Sequence, residues 1–427
     1  LTEPAQGSKP IGYLPFAFLC VLAFWSFFQA QNLVEKYSQG RLSVVTEESG
    51  RKFVSDFVHF YVAGTIAGSP QSHQIYDWDV QEKVFRRVVG FDVTKSEFYT
   101  QYMPQVFTMM VPIACIPLNT AHILWDFFTL LFGAVTFFFF ARSAGERSRR
   151  LAAIVLLLAV ACYPAWQSLI NGQLSWLLLG LFSAYFICLL RGRPILAGLS
   201  LALCAIKPQY LLFALLPLVF AKRFKTLFAT VAFTVLVLAI AVVNVGIDSF
   251  LVYPQALHEV EATVKSVAPN AMPCVRGLLS IFLSQEKALS ISGALSLMAL
   301  LMIAIIFKMK SASFSTERGF LAANALAIMT SLFFSAHTHA YDCLLIGLAG
   351  VLFLSAADRE NRFYKQIRGS FVAYPILSWF FFFCGAFTDS QIGMQFLAVF
   401  NIVLLALVLV WFLKTDWEKA AAAPSIE

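Results

Sequence analysis

The side chains of this 427-residue chain best suited to chemistry lie far apart in sequence. One group is Ser335-Ala-His337-Thr-His339-Ala-Tyr341-Asp342. Two histidines and an aspartate this close together can ligate zinc; they can equally donate to a phosphate or a sugar, or sit without a role at a helix turn. Much earlier, Asp56 opens the segment Ser55–Gly68, SDFVHFYVAGTIAG. Phe57, Phe60, Tyr61 and Gly64 recur there at helical spacing, and Ser55 can cap the helix. Apolar neighbours raise the pKa of such a carboxylate, and a helix N-terminus lowers it. Asp56 is therefore either a proton acceptor or a plain capping residue. Between these groups stand Asn171-Gly172-Gln173 and Lys207-Pro208-Gln209, and later Arg276, preceded by His258, Glu259, Glu261 and Lys265. Tyr76-Asp77-Trp78-Asp79 offers a pair of hard oxygen ligands, although solvated turn residues are the simpler reading.

The elements that must position these groups are membrane helices. Hydrophobic residues make up 59% of the chain and charged residues 13%, with a mean hydropathy of +0.75. A soluble domain carries about 25% charged residues. The apolar residues come in blocks, and about 20 helical residues span the hydrocarbon. The first block, Ile11–Ala30, reads as an uncleaved helix. Later connections alternate: those around Arg147, Arg191, Lys222, Lys308 and Arg362 are basic, whereas Pro164–Gln173, His337–Ala340 and Thr388–Gln391 carry no Lys or Arg. Because basic loops stay cytoplasmic, the pattern predicts an all-α polytopic protein with about 12 crossings and both termini inside. The net charge of +7 is spent on this topology, so no nucleic-acid partner is expected.

The expected organisation is one integral-membrane domain, 1–427. It divides into an outer loop with juxtamembrane helices at 31–118, central helices with short hairpins at 119–245, a second outer loop at 246–287, and C-terminal helices at 288–427. Pro194–Ala221 has basic residues at both ends and so must be a hairpin with Lys207 at its tip. Each arm has about 13 residues, or about 20 Å of helix, which places Lys207 within the membrane profile. Irregular backbone at that depth must face protein or water. The lysine then either lines a cavity with Asn171, Gln173 and Gln209 or snorkels to the headgroups. Most of the eight cysteines read as small hydrophobes; a bridge between Cys115 and Cys274 is conceivable.

Taken in order, Asp56-Phe57, Phe60-Tyr61-x-Ala63-Gly64, Ile75-Tyr76-Asp77, Asn171-Gly172-Gln173, Lys207-Pro208-Gln209 and His337-x-His339-x-Tyr341-Asp342 resemble glycosyltransferase family 87, of the C-type superfamily. The likeness covers about residues 55 to 345; the helices beyond resemble the family only as generic spans. Tyr102-Met103-Pro104 departs from an expected tandem proline. The resemblance implies an inverting transfer of a sugar, mannose or arabinofuranose, from a polyprenyl phosphate to a hydroxyl at the outer face of a bacterial cytoplasmic membrane. It makes Asp56 the general base. Lys207, His337, His339 and Arg276 would meet the donor phosphate, and Tyr61, Asn171, Gln173, Gln209, Tyr341 and Asp342 would line the substrate. No metal and no cofactor are expected, because the lipid-linked sugar is itself the donor. The acceptor would be a glycolipid, a polysaccharide or a protein, and the protein would act as a monomer among membrane lipids. The rival reading is a secondary transporter or flippase, which also uses broken helices and buried polar groups.

Overall fold

The computed structural model describes residues 25, 28–36, 38–39, 43–46, 52–143, 159–263, 272–357, 363–387 and 392–417. Most of the expected first helix, Ile11–Ala30, most of Leu151–Tyr163 and the connection Thr388–Gln391 lie outside these residues. The described chain is predominantly α-helical. The expected all-α class holds, with one short antiparallel hairpin added within residues 31–118, which pairs Val44–Thr46 with Lys52–Val54. Val44, Val45, Phe53 and Val54 are β-branched or aromatic, as a pleated surface favours.

Among the described residues, five helices are long and apolar enough to cross a bilayer: Leu118–Ser143, Phe224–Val245, Gln285–Met309, Tyr364–Cys384 and Gly393–Lys414. A sixth follows if Tyr163–Ile170 and Ser175–Leu190, bent by 119° at their junction, form one broken span. The expected dozen also includes Ile11–Ala30 and Leu151–Tyr163, which lie mostly outside the described residues, and apolar blocks that fold as shorter helices, among them Pro194–Ile206, Pro208–Phe220 and Ala340–Ala356. Phe228, Val243 and Leu301 point outward at 69%, 85% and 56% exposure. Aqueous surfaces keep such patches small, whereas a bilayer accepts them. This is a multi-pass membrane protein.

The breaks have local causes. Pro208 fixes its own φ and lacks an N–H, so it suits the first position of a helix and disfavours continuation of the one before it. The first arm therefore tightens into a 3-10 turn at Cys204–Ile206, ends at Lys207, and a new helix runs over Pro208–Phe220. Gly172 sits at φ +60°, a left-handed conformation that glycine adopts without strain, and this turns the chain between the two bent helices.

The segment within residues 31–118 has its own apolar core. Val58, Val62, Ile66, Ile75, Val84, Phe85 and Phe107 pack together with Val245, Val260 and Met272. Asp77 is a helix cap: its carboxylate accepts from the Val80 N–H at 3.1 Å and starts the helix Trp78–Val89. Ser55 occupies the N-cap position of the Asp56–Ala67 helix, but its buried hydroxyl makes no capping bond. The stretch Gly246–Cys274, expected as an outer loop, is helical over Ile247–Thr263. Cys115 and Cys274 are both free, so the conceivable bridge does not form.

The Asp56–Ala67 helix lies against Pro104–Ala114 so closely that a Cβ on Gly64 would come within 2.4 Å of the Met110 carbonyl oxygen. Gly64→Val is therefore expected to destabilise the protein by about 1–3 kcal/mol through overpacking. The check is a lowered unfolding midpoint in detergent.

Candidate active site

Four interruptions in the helical framework deliver polar side chains to one place. Asp56 stands at the start of its helix, Gln173 at the 119° bend, Lys207 at the hairpin tip, and His337–Asp342 in the connection between Glu317–Phe334 and Leu345–Ala356. Helix ends carry unpaired N–H and C=O groups, so polar side chains gather there at least cost.

Gln173 Nε2 donates to Asp56 Oδ2 at 2.6 Å. Asp56 keeps partial exposure, yet it is enveloped closely enough that burial raises its pKa above the ordinary carboxylate value. The Gln173 bond and the charges of Lys207 and His337 oppose that rise without cancelling it. Tyr102 stacks on Phe60 with ring centroids 4.3 Å apart, and its phenol meets Gln173 and faces Asp56. Burial lowers the pKa of His59, one turn further along, to about 4, so its imidazole is neutral at pH 7.

Lys207 is buried, and its ammonium donates a hydrogen bond to Asp342 Oδ1 at 2.5 Å. Its Nζ also lies 5.0 Å from the centre of the Tyr341 ring, within reach of a cation–π contact. Asp342 is fully buried and heavily engaged: Ser175 Oγ donates to Oδ1 at 3.2 Å and the His339 N–H to Oδ2 at 3.2 Å. Asp342, a candidate substrate ligand, is thus also the counter-ion and anchor of Lys207, and among the described residues no group of three or more His, Cys, Asp or Glu side chains is arranged to hold a metal ion.

Arg276 is fully buried. Its Nη1 donates to Glu261 Oε2 and, at 3.2 Å, to the Ala336 carbonyl. Nε and Nη2 have no hydrogen-bond partner among the described residues. Glu261 is shared, for His337 Nδ1 lies 2.8 Å from its Oε1. Burial pushes the Glu261 pKa up, but His337 and Arg276 outweigh it and hold the carboxyl below its usual range. His339 stacks on Tyr341 and meets His337 edge-on. Burial first, then the charges of His337, Lys207 and Arg276, push its pKa well below the usual value, so it serves as a neutral hydrogen-bonding ring.

Gln209 Nε2 donates to the His337 carbonyl at 3.4 Å and fastens the hairpin tip to the histidine turn. Two candidates are committed elsewhere. Tyr61 donates its hydroxyl to the Ile116 carbonyl at 2.8 Å, and Asn171 Nδ2 bonds the Gln167 carbonyl of its own helix at 3.0 Å. Glu261, Tyr102 and Ser175 belong to the cluster although no motif marked them. For Glu261 the helical spacing of Ile247–Thr263 was the available signal, since it distinguishes the inward-facing Glu261 from the more exposed Glu259.

Glu261→Gln would leave the buried Arg276 guanidinium without its carboxylate, a loss of about 3–5 kcal/mol. Because the folded carboxyl has a depressed pKa, its contribution is present above the unfolded value and disappears as pH falls through the folded one. The variant is expected to unfold earlier than wild type at pH 7 and to converge with it in acid, as measured by thermal unfolding.

A multi-pass helical membrane protein with buried carboxylates, amides and cations gathered at the broken ends of its helices is the class that fold and site define. Comparison with family models is specific: the chain belongs to glycosyltransferase family 87, which matches residues 99–369. It is thus a membrane glycosyltransferase. The matched stretch includes Tyr102, Gln173, Lys207, Glu261, Arg276, His337 and Asp342, and it begins after Asp56. Comparison with curated proteins returns no match.

Proposed function

We propose that the enzyme transfers a sugar, with mannose the first to test, from a polyprenyl phosphate to an acceptor hydroxyl at the outer face of the membrane, with inversion and with Asp56 as general base. The observation that carries this reading is the Asp56 carboxylate, its pKa raised by burial, oriented by Gln173 and facing Lys207 and His337.

In this mechanism the acceptor oxygen attacks the anomeric carbon while its proton passes to Asp56. The bond from that carbon to the phosphate oxygen breaks, and its electron pair stays on the lipid phosphate. Inversion needs one carboxylate to deprotonate the acceptor. The departing phosphate is a stable anion, so no general acid is required, but donors aimed at its oxygens lower the barrier. Supporting groups are at hand. Lys207 has ammonium protons beyond the one hydrogen-bonded to Asp342, Arg276 has unpartnered N–H groups, and the neutral His339 ring can donate one hydrogen bond.

The test is incubation of the purified protein in detergent with polyprenyl-phosphate mannose or arabinofuranose and a panel of glycolipid, polysaccharide and peptide acceptors, read by mass spectrometry. A new glycoside of inverted configuration is expected. Transfer from a nucleotide sugar with none from any lipid phosphate would overturn the proposal.

A further inference from the structure

The long helix Leu118–Ser143 carries a histidine that the proposed chemistry does not use. His122 is fully buried. Its Nδ1 lies 2.9 Å from Ser43 Oγ, and the Ser43 carbonyl accepts the N–H of Ser55, the residue before Asp56, at 3.0 Å. The imidazole stacks on Phe57, the residue after Asp56, with centroids 4.3 Å apart and planes within 13°. Along its Nε2 edge the ring also meets Gly172, the residue before Gln173. A Cβ there would sit 2.6 Å from His122 Nε2 and 2.6 Å from Phe57 Cβ. One turn along the same helix, Trp125 Nε1 donates to the Gly172 carbonyl at 2.9 Å.

We propose that His122 is a positioning residue: its ring, stacked on Phe57 and abutting Gly172 along its Nε2 edge, sets the distance and direction of the Asp56–Gln173 pair. The Ser43 bond fixes the ring rotation and couples it to the start of the Asp56 helix. Both members of the pair are thus held by one rigid ring, through residues immediately adjacent to them in sequence. The inference rests on Asp56 being the base of the transfer.

A histidine that merely fills the core would, when replaced, change how much protein folds. A positioning histidine changes what the folded protein does. Misplacement by about 1 Å can cost on the order of 10²-fold in rate. His122→Ala is therefore expected to lower kcat about 100-fold with donor KM changed little. It also frees Gln173 to leave Asp56, removing a bond that favours the ionised carboxylate. The acid limb of the pH profile then moves to higher pH. The other groups facing Asp56, namely Lys207, His337, Tyr102 and Tyr341, are not altered by the substitution.

The experiment measures kcat, KM and the acid limb with polyprenyl-phosphate mannose for His122→Ala, His122→Asn and Ser43→Ala, each normalised to folded protein by detergent-phase thermal unfolding. His122→Asn, which keeps an amide nitrogen near the Nδ1 position, should recover at least tenfold of the alanine loss. Ser43→Ala, which leaves the ring in place, should show a smaller fall of the same kind and keeps the test available if His122→Ala does not fold. Wild-type kcat per folded molecule with an unmoved acid limb in these variants would overturn the proposal. Asp56→Asn run alongside separates the two failures: full turnover there removes the base itself, whereas an inactive Asp56→Asn beside unaffected His122 and Ser43 variants removes only the positioning role.

Discussion

Asp56→Asn is expected to lower the rate of sugar transfer on the order of 10²–10⁴-fold while making the protein more stable, not less. The activity loss follows from removing the proton acceptor. The stabilisation follows from the raised pKa of Asp56, whose folded state prefers the neutral carboxyl. Between its unfolded and folded pKa values the folded protein binds the extra proton, so stability falls as pH rises through that window. An asparagine carries no charge to desolvate and can still face Gln173. The unfolding midpoint of the variant should exceed that of wild type at pH 7 and match it in acid. In wild type, turnover should climb with pH on a limb displaced above the ordinary carboxylate range. A variant that transfers sugar at the wild-type rate would remove Asp56 from the chemistry.

The second large effect concerns the Lys207–Asp342 pair. Asp342→Asn leaves a buried ammonium without its carboxylate, at a cost of about 3–5 kcal/mol. It also releases Ser175 and the His339 turn, which the same carboxylate holds. Transfer activity should be lost along with much of the folded protein. Lys207→Met should also abolish transfer, and the double variant Lys207→Met with Asp342→Asn should fold better than Asp342→Asn alone, since no unpaired cation remains. A thermal-unfolding double-mutant cycle measures this coupling. Additive destabilisation would show that the pair is not energetically linked.

Backbone interruptions were the part of this site most legible in the sequence. The basic residues flanking Pro194–Ala221 required a turn near Lys207, and Pro208 supplied its place; the structure breaks there. The other break falls at Asn171-Gly172-Gln173, where Gly172 takes the positive φ that turns the chain. The pairing of charges was not legible. Nothing local to Lys207 says that its carboxylate is Asp342, or that Arg276 turns inward to Glu261, because such choices depend on which helix ends meet in space. Charge alternation along the chain marks connections and not span lengths, so it did not show that the arms around Lys207 and the helix after His339 are short. Tyr61 shows the same limit on a smaller scale: its place in a motif said nothing of the Ile116 carbonyl that takes its hydroxyl.

The sequence separation within the Lys207–Asp342 pair, 135 residues, bears on how the protein is made. A chain emerges from the ribosome N-terminal end first, at about 5–20 residues per second. The hairpin that carries Lys207 is thus complete for several seconds before its carboxylate exists. During that interval the lysine must stay hydrated, so the hairpin cannot settle to its final depth until the segment around Asp342 arrives. Assembly of the cavity is then one of the last events of biogenesis. Nascent chains ending before Asp342 should expose the Lys207 tip to water-soluble amine reagents, and full-length chains should protect it.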